Sequence, residues 1–271
     1  MENKGLQGCS VVVTRPEAQA QGLAALISDA GGNAILFPTL KITESNDKSA
    51  LDQLIAELAD YSILILISPN AVTFGLNYIL QHRPIPATCK IATVGKGSAT
   101  RATALLQRNI DIVPKAFDGQ SGGYNSESLL TLPELQSVNN KKIAILRGKG
   151  GRELLADTLR ERGATVSYIN TYTRSIPDDS NHEKRLNSLI ECTNTDSELC
   201  VTITSGESLH NFIQLLGNHA EEWLNKAQLI VINERLVAIA KQLGFKKDPL
   251  IANNASDHAL VDCVSQWCNN K

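Results

Sequence analysis

The sequence predicts an α/β protein built on parallel sheets, and three observations carry that expectation. Near the start, Val11-Val12-Val13 runs into the turn Thr14-Arg15-Pro16, a helical stretch breaks at Gly31-Gly32, and an apolar strand follows at residues 34–37. About 130 residues later the same unit recurs: Ile143-Ala144-Ile145-Leu146 leads to Arg147-Gly148, a helix over residues 152–162 breaks at Gly163, and a strand occupies 165–169. Elsewhere, short runs that are apolar on both faces alternate with helical spacing, which is how strands read when helices cover a sheet on both sides. A chain that begins one unit twice is most simply a pair of similar α/β domains facing one another, with ligand space between them.

The elements follow in order. Residues 43–49 are polar and read as a connector, and 51–58 carry apolar residues three and four apart, the period of a helix. Residues 63–67 form a buried strand, after which Ser68-Pro69-Asn70 opens a helix with a capping residue and an early proline. A strand at 90–94 meets Gly95-Lys96-Gly97-Ser98 and a helix through Leu106. Residues 110–113 read as a short strand stopped by Pro114, and a glycine-rich loop at 119–123 precedes a helix from Ser126. The second half repeats the cadence, with a connector at 175–181, a helix near 183–190 and a strand at 199–204. Ser205-Gly206-Glu207-Ser208 then opens a helix, and a strand at 229–232 passes through Asn233 into a helix closed by Gly244. The last strand is Leu250-Ile251, and Asn254-Ala255-Ser256-Asp257 caps the terminal helix, which brings the expected strands to ten.

A length of 271 residues suits two domains with cores of their own. A formal net charge of only -2 gives no overall field to recruit nucleic acid or an acidic membrane, so an anion must be held by local groups. Residues 1–10 lack the apolar core of a signal peptide, and the longest aliphatic run, 63–67, is too short to span a bilayer. A cytoplasmic location is therefore expected. The six cysteines include no C-x-x-C pair and the five histidines have no ligand spacing, so reduced structural thiols and no metal are expected. A dinucleotide fingerprint, a P-loop, G-x-S-x-G and H-E-x-x-H are all missing, although Gly95-Lys96-Gly97-Ser98-Ala99-Thr100 approaches the first.

Ligands of an open parallel sheet bind at the carboxyl ends of its strands. This sequence places six turns there: Thr14-Arg15-Pro16, Ser68-Pro69-Asn70, Gly95-Lys96-Gly97-Ser98, Arg147-Gly148-Lys149-Gly150-Gly151, Ser205-Gly206-Glu207-Ser208 and Asn254-Ala255-Ser256. Any one of them is ordinary helix capping, but six together favour a polyanion gripped by helix N-termini. Tyrosine is scarce, and Tyr168 and Tyr172 stand an even number apart, so an extended strand would direct both to one face. Tyr172 falls where that strand leaves its sheet, either as a phenol able to give or orient a proton or as an interface filler with a wet hydroxyl.

Together these residues resemble the uroporphyrinogen-III synthase family over essentially the whole chain. The most specific part is Leu146-Arg147-Gly148-Lys149-Gly150-Gly151-Arg152-Glu153, then Arg162-Gly163-Ala164 and Tyr172-Thr173-Arg174, matching an L-R-G-x-G-G-R-E…RGA…Y-x-R signature. The resemblance implies two flavodoxin-like domains joined by a two-stranded linker. The first would be discontinuous, residues 1–39 with 176–271, and the second would span 40–175, a connectivity unlike two sequential halves. It also implies a cofactor-free cyclising lyase that closes hydroxymethylbilane, a linear tetrapyrrole with eight carboxylates, with loss of water and inversion of ring D. By the same resemblance Tyr172 is the candidate proton donor. Ser98 and Ser256 fall at family binding positions, Ser68, Ser205 and Ser208 are expected carboxylate contacts, and Arg15 and Arg147 are binding candidates that share a structural reading. A monomer is expected, with transient contact to the enzyme that supplies the substrate as its partner interaction. The alternative from another class is a two-domain cytosolic sensor that binds a small anion without chemistry.

Overall fold

The structure, a computed structural model, describes residues 5–114, 125–151, 153–177, 181–193 and 198–270. The glycine-rich loop at 119–123 and Arg152 lie outside the described residues. Ten strands are present among them: β1 (Cys9–Val13), β2 (Asn33–Leu36), β3 (Lys41–Glu44), β4 (Ile63–Leu66), β5 (Lys90–Thr93), β6 (Lys142–Gly148), β7 (Thr165–Ser175), β8 (Glu198–Thr202), β9 (Gln228–Val231) and β10 (Leu250–Ile251). The chain divides into two compact units, one made of Met1–Lys41 with Ser175–Lys271 and the other of Ile42–Arg174. Each holds one five-stranded sheet with helices between its strands, so the protein is α/β as its sequence pattern predicts.

In the first unit the sheet order is β10-β9-β8-β1-β2 and every pairing is parallel. Counted along this unit's own chain the order is 2-1-3-4-5, which reverses between β1 and β8 and leaves a crevice at their carboxyl ends. Successive residues of β1 face opposite ways: Val12 joins Phe212, Trp223 and Leu229 in one layer, while Val11 and Val13 join Leu23, Ile27 and Leu260 in the other. Two apolar faces explain why these strands read as unbroken hydrophobic runs.

The second unit orders its sheet β3-β7-β6-β4-β5. Strands β4 to β7 are parallel, with Leu64, Leu66 and Leu146 facing the helices that carry Leu51 and Ile79, and Ile63, Ile65 and Ile145 facing Leu129 and Leu159. At the edge, Thr43 Oγ1 lies 2.9 Å from Thr173 Oγ1 and Ser45 N–H donates to Thr171 O at 3.1 Å. These contacts step in opposite directions, so β3 runs antiparallel to β7.

Three expectations are corrected here. Residues 110–113 are not a full strand; Ile112 alone bridges Ala92, taking Thr93 N–H on its carbonyl at 3.0 Å, and Pro114 stops any continuation. The polar connector at 43–49 begins inside β3, a strand hidden by its charged, exposed edge. Tyr168 and Tyr172 face opposite sides of the sheet, because Arg147 pairs with Asn170 and Gly148 with Tyr172, leaving Thr171 as an extra residue in β7. That bulge inverts the alternation on which the even spacing relied. No helix among the described residues is long and apolar enough to cross a membrane.

Candidate functional site

Tyr172 sits at the carboxyl end of the second unit's sheet with its whole side chain buried. The bulge turns its ring onto the layer that includes Phe74, 6.2 Å away, and Gly148 makes room for it, since a Cβ there would stand 2.6 Å from the ring. Lys149 N–H donates to Tyr172 O at 3.0 Å, which fixes the backbone on the other side. The phenol oxygen lies 3.0 Å from Ser68 Oγ and accepts from Arg174 Nη2 at 3.1 Å. Arg174 itself is exposed, so the hydroxyl lies one side chain below the surface.

Ser68 caps the short helix Pro69–Ala71, accepting from Ala71 N–H at 3.1 Å, and the chain continues through a π turn at Val72–Leu76. The π turn carries Phe74 and Gly75, and a Cβ on Gly75 would come within 2.6 Å of Leu146. Beside it begins the helix Lys96–Leu106, whose first turn holds the buried Ser98 and whose Gly97 approaches Pro69. Ser68, Ser98 and Tyr172 therefore all lie at the strand ends of one sheet.

Arg147 belongs to the same end but faces inward and is 3% exposed. Its Nε donates to the Gly150 carbonyl at 3.0 Å, its Nη1 reaches Glu153 at 3.3 Å, and its guanidinium stacks 4.3 Å from the Tyr168 ring centroid. Gly151, at φ 115°, lies where a Cβ would meet Arg147 Nη2 at 2.9 Å. Only glycine fits that backbone, so the Gly150-Gly151 pair and the arginine specify one loop shape. Burial, with the Glu153 contact adding to it, pushes the Tyr168 phenol above its ordinary pKa. A cavity of about 190 Å³ lies behind, bounded by Ile67, Val94, Arg147 and Tyr168.

In the first unit, Ser205 caps the helix Gly206–Leu216, accepting from Ser208 N–H at 3.0 Å. Together with Asn233, which caps Glu234–Leu243, it borders a cavity of about 410 Å³ that also touches Arg235 and His210. Ser208 is buried, and its hydroxyl is engaged by Thr39 Oγ1 at 2.6 Å and Thr14 Oγ1 at 3.1 Å. Arg15 pairs with Asp257 and the Ala255 carbonyl, tying the end of β1 to the start of the terminal helix. Ser256 caps that helix from an exposed position, accepting from Ala259 N–H at 3.3 Å. A roomier hollow of about 540 Å³ runs along the whole of β2 and the helix His182–Thr193.

The structure thus separates the expected site residues by environment. Ser68, Ser98, Ser205 and Ser256 stand in first turns or caps, whereas Ser208, Arg15 and Arg147 are engaged inside their own units. Arg174, given no role by sequence reasoning, joins Ser68 in contact with the tyrosine oxygen. Its position two residues beyond Tyr172 on one strand is the signal that could have found it.

The family model described as Uroporphyrinogen-III synthase HemD matches residues 21–262. The chain belongs to the uroporphyrinogen-III synthase family. It is 33% identical over 260 residues to the uroporphyrinogen-III synthase of Escherichia coli (strain K12), covering 93% of this chain and 98% of that relative. A putative uroporphyrinogen-III synthase of Methanocaldococcus jannaschii is 28% identical over 257 residues, 94% of this chain and 97% of the relative. In fold, the uroporphyrinogen-III synthetase of Helicobacter pylori 26695 superimposes with a TM-score of 0.62 at 16% identity, covering 97% of this chain and 100% of that one. Membership in the uroporphyrinogen-III synthase family makes the activity that of a hydro-lyase in tetrapyrrole biosynthesis, with hydroxymethylbilane as the substrate the family implies.

Proposed function

We propose that this family member closes hydroxymethylbilane to uroporphyrinogen III with Tyr172 as the proton donor, and that helix starts hold the substrate's carboxylates. The observation that carries the reading is the Tyr172 hydroxyl held by Ser68 and Arg174 beside two helix starts. Its proton passes to the departing hydroxyl oxygen, the carbon–oxygen bond breaks, and water leaves as the pyrrole nitrogen pushes its electron pair toward the methylene carbon. The resulting azafulvene cation closes onto ring D through a spiro intermediate that fragments and recloses with that ring inverted. Rearomatisation releases a ring-D proton, which balances the one lost and can restore the phenol. The pyrrole supplies the electrons throughout, so the reaction as proposed requires no cofactor.

The chemistry asks the protein mainly to hold a flexible chain in one conformation. The capped helix starts at Ser205, Asn233 and Ser256, and the first turn at Ser98, offer N–H groups and dipole ends suited to carboxylates. Ser208, Arg15 and Arg147 shape the loops that present them. Because Tyr172 has no exposed surface, its hydroxyl meets the leaving group only when a covering side chain turns aside, as in other sites that tighten on their substrate. We read the two units as the family's flavodoxin-like domains, with β3 and β7 as the two-stranded linker. Supplying the protein with hydroxymethylbilane and resolving the oxidised products tests the function. The type III isomer is expected; type I alone, the isomer of unassisted closure, would leave an anion-binding protein without catalysis.

A further inference from the structure

We propose that Arg174 is a positioning residue for the reaction, acting through the Tyr172 oxygen. This rests on the reading of Tyr172 as proton donor and adds what makes that phenol a directed one. A guanidinium only donates, so at 3.1 Å the phenol oxygen must be the acceptor. Ser68 Oγ already accepts Ala71 N–H at 3.1 Å, and its own hydrogen is then available for the phenol oxygen 3.0 Å away. With two donors aimed at its oxygen, Tyr172 keeps its own hydrogen for a third partner. Once that hydrogen has moved to the leaving group, the phenolate left behind retains both hydrogen bonds, and one comes from a cation.

The local structure supports this assignment. Tyr172 and Arg174 are two apart on β7, so alternation places them on one side of the strand, and the guanidinium carbon lies 5.5 Å from the ring centroid. The Thr171 bulge sets the phase for both residues at once. Arg147, by contrast, is buried and satisfied by the Gly150 carbonyl and Glu153, so it has no comparable access to the phenol.

A double-mutant cycle with Arg174→Met and Tyr172→Phe, read in single turnovers with excess protein, tests the proposal. Arg174→Met should lower the turnover rate by about tenfold or more with KM little changed, and Arg174→Lys should recover part of the loss. In the Tyr172→Phe background, Arg174→Met should cost nothing further. Because Arg174 is exposed and Tyr172→Phe keeps the buried ring while deleting one oxygen, circular dichroism and melting temperature should show both single variants folded. An equal loss in both backgrounds, or a raised KM at unchanged turnover as for a plain carboxylate contact, would overturn the positioning role while leaving Tyr172 in place. Wild-type turnover in Tyr172→Phe alone is the distinct result that removes the tyrosine, and this inference with it.

Discussion

Ser205 and Ser208 are indistinguishable as letters in a Ser-Gly-Glu-Ser turn, yet their hydroxyls do opposite work. The first caps a helix at the rim of a cavity, and the second closes a buried chain in which Thr39 reaches Ser208, Ser208 reaches Thr14 and Thr14 donates to Thr202 O at 2.7 Å. Ser208→Ala should therefore destabilise the protein by about 1–3 kcal/mol in urea unfolding, since it removes two buried side-chain hydrogen bonds, while leaving KM for the substrate unchanged. The same ambiguity applies to arginine. In the sequence Arg15, Arg147 and Arg174 all stand near the end of a strand, but one pairs with Asp257, one props a glycine loop and one touches the phenol. Burial and partner decide among these roles, and neither is written in residue type or spacing.

At the level of elements, most of the strands and helices were legible because their signals are local: apolar runs for strands, Ser-Pro or Asn before a helix, glycine after it. What escaped depends on pairing. β3 is a strand only because β7 offers it an edge, and Ile112 remains a single bridge because Pro114 stops the run. The bulge in β7 leaves no mark in the sequence, yet it decides which face receives Tyr172. Gly148 is its companion, a residue whose missing Cβ admits the tyrosine ring. Gly148→Ala should cost about 1–3 kcal/mol in stability by forcing that ring or β6 to move, and should lower turnover as well because the displaced atoms carry the hydroxyl. A normal urea midpoint and normal turnover in this variant would show that the contact relaxes freely.

Across the whole molecule, each unit buries at least one thiol whose ionisation opposes the fold. Burial, aided by the charge on Asp111, pushes the Cys89 thiol in the second unit up to about 11, and burial also raises Cys200 in the first unit well above the ordinary thiol value of 9.0. Below the pKa of an unfolded thiol, both states hold these protons and stability is undiminished. As pH rises beyond that point the unfolded chain releases protons that the folded chain retains, so stability should fall through the alkaline range. The urea midpoint should drop between about pH 8 and about pH 10, and Cys89→Ala should flatten that slope. The division into two units, each with its own sheet, is a long-range property: Lys41 and Ser175 join one unit although the whole of the other, Ile42–Arg174, intervenes. Repetition of the βαβ pattern pointed to two sheets, whereas the assignment of segments to them came from family resemblance, not from periodicity. The central claim concerns one oxygen atom at the end of the second sheet. Turnover of hydroxymethylbilane by Tyr172→Phe, measured beside its melting temperature, tests it most directly: a fall in kcat of about a hundredfold or more with the fold intact is predicted, and wild-type kcat in a folded variant would contradict it.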